Sequence, residues 1–113
     1  MNTNLNVIDP RALDIYTGGD ADAAREIYAE FLRTCEVDLE TARGARTAEV
    51  LCRAAHRIKG ASHMIGAMPL REAADLVERH ALRGDWQSAV AGLPGLEHAY
   101  RELSTALDAL TAA

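Results

Sequence analysis

The feature that constrains this chain most is the spacing of its apolar residues. From Ala21 to about Arg43, Ala24, Ile27, Tyr28, Phe31, Cys35, Leu39 and Ala42 recur at steps of three and four. That period draws one buried stripe along a helix. It returns after each break. Thr47 caps a segment that runs to about Gly66 and carries Leu51, Ala54, Ile58, Ser62 and Ile65 on one face. Pro69 opens another with Leu70, Ala73, Ala74, Val77 and Ala81. After Gly84-Asp85, the residues Trp86, Val90, Leu93, Leu96, Tyr100, Leu103, Leu107 and Leu110 keep one register across Pro94. An unbroken stripe predicts a single long last helix, kinked near Pro94-Gly95. Asp9 as cap and Pro10 at the first helical position add a short leading helix to about Tyr16, which Gly18-Gly19 ends before Asp20 or Asp22 caps the next. Four striped helices joined by short turns predict an all-α fold, an antiparallel four-helix bundle with a short additional N-terminal helix.

Composition supports this and narrows the function. At 113 residues there is room for one domain, 1–113, with an ordered core over about 9–110. Ala supplies 22 residues and Leu 13, while aromatics reach only 4%, a mixture that favours helices over strands. Twelve basic against 17 acidic side chains leave a net charge of −5 with no basic cluster, which argues against a nucleic-acid partner. No apolar run approaches the roughly 18 residues of a membrane span. The polar start Met1-Asn2-Thr3-Asn4 does not read as a signal peptide, so a cytoplasmic, monomeric domain without membrane contact is expected. Cys35 and Cys52 lack CxxC spacing, and Cys35 lies in a core stripe.

One segment departs from helix rules, Ala55 to Gly66. With Ile58 at the centre of the buried face, Leu51, Ala54, Ser62 and Ile65 fall within about 40° of it and His56 about 160° away. His56 therefore faces outward. Gly60 follows one turn later, roughly 40° from His56 around the axis. Glycine in mid-helix costs about 1 kcal/mol relative to alanine. Some gain must offset that cost, and the simplest is space beside the imidazole. Lys59 projects from the same turn. An exposed imidazole with a clear approach and an ammonium nearby suits in-line attack on a phosphoryl group. Neutral imidazole is nucleophilic near pH 7, and a lysine stabilises the charge spread over the transferred group.

His56-Arg57-Ile58-Lys59-Gly60-Ala61-Ser62, followed by Gly66-Ala67, resembles the histidine-phosphotransfer motif H-x-[IL]-K-G-[AS]-[AS]-x-x-[ILV]-G at every defined position. The layout around it, from Gly18-Gly19-Asp20 through Leu70–Glu78 to Gly84-Asp85, is similar to that family too. The resemblance implies a phosphocarrier without its own nucleotide site. His56 would take a phosphoryl group from the receiver-domain aspartate of a hybrid sensor histidine kinase and pass it to the receiver of a response regulator. Lys59 would contact the phosphoryl oxygens, Gly60 would keep the ring accessible, and Gly66 would allow close packing at the helix end. No cofactor is expected on this domain, since in the family Mg²⁺ belongs to the receiver. Arg53, Arg57, His63, Met64 and Ala67 would form the docking rim, with Leu13 or Ile15 adding apolar contact. The location implied is the cytoplasm, including the cytoplasmic end of a membrane-bound sensor kinase.

Rival readings are a non-catalytic helical interaction module and a metal-binding bundle. Glu49, Cys52, His56 and His63 share one face of the third helix, Thr47 to about Gly66, but one straight helix seldom surrounds a metal. Degenerate phosphotransfer domains usually lose the histidine or the lysine, and both are present. Asp75 and Glu78 read as an ordinary solvated pair, with Arg71, Arg79 and Arg83 as partners.

Overall fold

Four of the helical segments start where a side chain takes over an orphaned backbone group. In a computed structural model that describes residues 7–111, the carboxylate of Asp9 accepts the Arg11 N–H at 3.0 Å. A 3-10 turn, Pro10–Leu13, follows and runs directly into α1 (Asp14–Thr17). Asp20, not Asp22, caps α2 (Ala21–Gly44), accepting from the N–H groups of Asp22 and Ala23. Thr47 caps α3 (Ala48–Ile65) through the Val50 N–H. The two residues Gly66 and Ala67 then turn the chain into α4 (Met68–Leu82), with Pro69 in its first turn. Asp85 caps α5 (Trp86–Ala91), and α6 (Leu93–Thr111) completes the described chain. Each cap satisfies a donor that the helix leaves without a partner. The opening Met1 to Asn4 lies outside the described residues.

The last segment corrects the expectation of one kinked helix. It is two helices, and the break falls at Gly92 rather than at Pro94-Gly95. Pro94 occupies the first turn of α6, where its missing N–H has no helical acceptor to lose. Gly92 is pressed against α4: a Cβ there would stand 2.9 Å from Cγ2 of Val77. The break also shifts the register. Ala89 is the buried residue of α5, while Trp86 and Val90, which the stripe placed in the core, are 37% and 36% exposed.

The described residues are helical throughout their elements, with no strand among them. Helix α2 packs on α3, α3 on α4, α4 on α6, and α6 back on α2. A large apolar cluster, including Phe31, Leu39, Ile58, Ile65, Leu96, Leu103 and Leu107, fills one part of the interior. Cys35 lies within it, and burial pushes its thiol up to about 12. A second cluster is mostly alanine: Ala42, Ala54, Ala55, Ala81 and Ala89 gather around Leu51 and Val77. Small side chains there let α3 and α4 approach closely, which places a side chain on one within reach of the other. Among the described residues, no helix is long and apolar enough to cross a membrane.

Candidate functional site

Helix α3 buries Leu51, Ala54, Ala55, Ile58, Ser62 and Ile65 and turns the opposite face outward. The Ser62 hydroxyl stays inside by donating to the Ile58 carbonyl at 2.6 Å. His56 lies on the outer face, with 66% of its side chain exposed. The imidazole is nevertheless held. Its Nδ1 stands 2.8 Å from Oε2 of Glu78 on α4. The other carboxylate oxygen, Oε1, lies 2.7 Å from Nζ of Lys59, and the same ammonium is 3.4 Å from Oδ1 of Asp75. Asp75 completes the row by accepting Nε of Arg79 at 3.0 Å on its Oδ2. His56, Glu78, Lys59, Asp75 and Arg79 thus form one continuous network across the α3–α4 face.

Glu78 is buried, and desolvation alone would raise its carboxyl above the usual range. Hydrogen bonds from Lys59 and His56 outweigh that effect and hold it lower, so it stays ionised. The Glu78 carboxylate in turn pushes the Lys59 ammonium up, against the opposing effect of burial, and Asp75 adds to this. An ionised Glu78 can only accept. It therefore fixes the hydrogen of a neutral His56 ring on Nδ1 and leaves the lone pair on Nε2, the nitrogen turned away from α4. The arrangement orients the imidazole and places a carboxylate where it would balance a positive ring.

The remaining site residues divide. Gly60 is exposed on α3, and a Cβ there would meet nothing within 4 Å, so no neighbouring helix requires the glycine. Gly66 is different. It has φ +78°, and a Cβ would stand 2.7 Å from the Ala12 Cβ and 2.9 Å from the Asp9 carbonyl oxygen. The Asp9 N–H donates to the Gly66 carbonyl at 3.0 Å, fastening the N-terminal turn to the end of α3. Arg53, His63 and Met64 are exposed. Arg57 is mostly exposed too, but its guanidinium donates to the buried carboxylate of Asp38 on α2 at 2.9 Å. Ala67 corrects the docking rim: at 0% exposure it packs in the core beneath the α3–α4 turn and offers no surface to a partner. Leu13 is buried as well, while Ile15 is 83% exposed. Between α2 and α3 runs a groove with apolar walls of Ile27, Phe31, Ile58, Ala61 and Met64, edged by Glu26, Glu30 and Asp38.

Glu78 and Asp75 also correct the sequence reading, which placed both on a solvated face. Glu78 sits one turn after Ala74 and beside Val77, so its position on the buried stripe was visible in the spacing. Asp38 was legible in the same way, one turn after Cys35. Among the described residues, no three His, Cys, Asp or Glu side chains gather to hold a metal ion. The set Glu49, Cys52, His56 and His63 therefore forms no such site.

The fold is thus helical and displays one exposed imidazole, held by a carboxylate from a second helix. The chain belongs to the Hpt domain family, whose model matches residues 25–113. Hpt domains act in histidine phosphotransfer within two-component phosphorelays, as phosphocarriers that interact with receiver domains. No curated protein matches the chain, and no solved structure does.

Proposed function

We propose that this chain is a phosphorelay intermediate. His56 accepts a phosphoryl group from the receiver-domain aspartate of a hybrid sensor kinase and passes it to the receiver of a response regulator. The observation that supports it best is the contact between His56 Nδ1 and Glu78, which leaves Nε2 free on an exposed ring. In the acceptance step the Nε2 lone pair attacks phosphorus, a P–N bond forms, and the P–O bond to the aspartate breaks. The electron pair of that bond returns to the aspartate carboxylate. No proton need move, because Nδ1 keeps its hydrogen and the ring becomes cationic opposite Glu78. Passing the group onward reverses each change on a second aspartate.

Lys59, three residues after His56 on the same helix, is close enough to turn toward the phosphoryl oxygens. Gly60 keeps the approach to Nε2 low. Partners dock over α3, using Arg53, Arg57, His63 and Met64 with the α2–α3 groove and Ile15 as apolar ground. Phosphoryl transfer needs electrophilic assistance, and the reading assigns the Mg²⁺ that gives it to the receiver. Turns of three residues between α2 and α3 and of two between α3 and α4 support an antiparallel bundle. The same reading takes the domain as monomeric and cytoplasmic.

The test is transfer of label from a phosphorylated receiver domain. The product expected is acid-labile and base-stable, as a phosphoamidate is, and His56→Gln abolishes it. Label that persists in His56→Gln removes His56 as the acceptor.

A further inference from the structure

Lys59 has more anions around it than one ammonium can serve. Glu78 holds it at 2.7 Å, Asp75 lies 3.4 Å away, and the exposed ring that would carry the phosphoryl group is three residues back on its own helix. Glu78 cannot yield, because it also faces Nδ1 of His56. Asp75 is pinned in place by Arg79 through its second oxygen. Two carboxylates and two cations balance in this row before any phosphoryl group arrives. A phosphoryl group carries roughly two negative charges on its oxygens, the cationic ring offsets only one of them, and Lys59 is the cation of the row nearest in sequence to His56.

We propose that Asp75 is a positioning residue that sets how far phosphoryl transfer lies toward phosphorylated His56, by competing for the Lys59 ammonium. The proposal rests on His56 being the acceptor. Asp75 draws Lys59 back along α4, so the phosphoryl group on Nε2 receives only part of its charge. A carrier must release what it accepts, and a full ion pair to Lys59 would hold the group too tightly. Asp75 thus keeps the phosphorylated state within reach of a downstream aspartate.

The test uses phosphoramidate, a small donor that needs no receiver. Its P–N bond breaks as a new one forms at His56, and ammonia leaves. At fixed phosphoramidate and ammonium concentrations, phosphorus NMR reads the occupancy of His56, with His56→Gln subtracting label on His63, His80 and His98. Asp75→Asn is expected to raise the ratio of phosphorylated to free His56 about two- to fivefold, the range of a partly exposed ion pair. The gain should vanish when Asp75→Asn is placed on Lys59→Met, and circular dichroism confirms that each variant is folded. An unchanged ratio in Asp75→Asn overturns the proposal. A gain that survives undiminished in the Lys59→Met background also overturns it, because Asp75 would then act by direct repulsion. Wild type that takes no label at His56 overturns the acceptor reading itself, and this proposal falls with it.

Discussion

Oε2 of Glu78 stands 2.8 Å from Nδ1 of His56, reaching from one helix to the next across a turn of only Gly66 and Ala67. The contact does two things at once. It fixes where the ring carries its hydrogen, and it gives a buried carboxylate the second of its two partners. Neither residue is satisfied in the same way by water: the carboxylate is shielded, while the ring is open on its far side.

Replacing Glu78 by Ala should therefore slow phosphoryl acceptance without removing the acceptor. The ring would sample both tautomers and lose its countercharge. A loss of at least about tenfold in the transfer rate, about 1.4 kcal/mol of barrier, is expected. Stopped-flow or quench measurement of label transfer reads the rate, and imidazole nitrogen NMR reads the tautomer. A tautomer mixture with an undiminished rate would detach the contact from the chemistry.

Gly60 separates access from stability. A Cβ there meets no neighbour within 4 Å, so Gly60→Ala should stabilise the domain by up to about 1 kcal/mol, the helix-propensity difference. Gly60→Leu should gain helix stability as well, yet slow transfer by covering the ring one turn back. Urea unfolding and transfer rates, measured on both variants, check this. Equal transfer rates in wild type and Gly60→Leu would refute the access role.

Acid should weaken the network in a defined direction. Glu78 is held below its ordinary value of 4.5 in the folded chain, so its contribution is complete above that value and is lost as pH falls through the lowered one. Lys59 is raised above 10.5, so its contribution is complete below that value and is lost as pH rises through the raised one. Stability attributable to the pair should be greatest between these limits. Asp9 and Asp85 are also lowered, by Arg11 and by Ser88 respectively, so the comparison that isolates the pair is wild type against Glu78→Gln across pH. Parallel curves through the acid limb would contradict the assignment.

Gly66→Ala should destabilise the fold by about 2 kcal/mol or more, since it adds strain at positive φ to a clash with Ala12 and the Asp9 carbonyl. The N-terminal turn would be the first part to loosen, visible as faster amide exchange at Asp9. Wild-type exchange there, with wild-type stability, would show that the turn can shift without cost.

Much of this was legible in the sequence because the buried stripes are long and regular. The stripe through Leu51, Ala54, Ile58 and Ile65 fixes the outward direction of His56 by geometry alone. Periodicity failed where a single residue overrode it. The register through Trp86 and Val90 runs on smoothly, but Gly92 fits against Val77 only by breaking the helix, and no spacing rule reports a contact with another helix. The partners of Glu78 and Asp75 were missed for a related reason. A carboxylate three or four residues from an arginine looks solvated in one dimension, whereas its partners His56 and Lys59 come from a different helix. Ala67 sits one residue beyond the motif's last glycine, and only the fold shows that the turn tucks it inward.

The two-residue turn after α3 has a broader consequence. His56, Lys59, Gly60, Asp75 and Glu78 all lie on the helical hairpin formed by α3 and α4, and none lies on α2 or α6. The outer wall of the neighbouring groove, with Glu26, Ile27, Glu30 and Phe31, belongs to α2. The reactive residues are thus confined to the hairpin, whereas the proposed docking surface is shared between α3, through Arg53, Arg57, His63 and Met64, and the wall of α2. If partners dock as proposed, substitutions along the exposed edge of α2 would change which correspondent the domain meets without touching the side chains around His56.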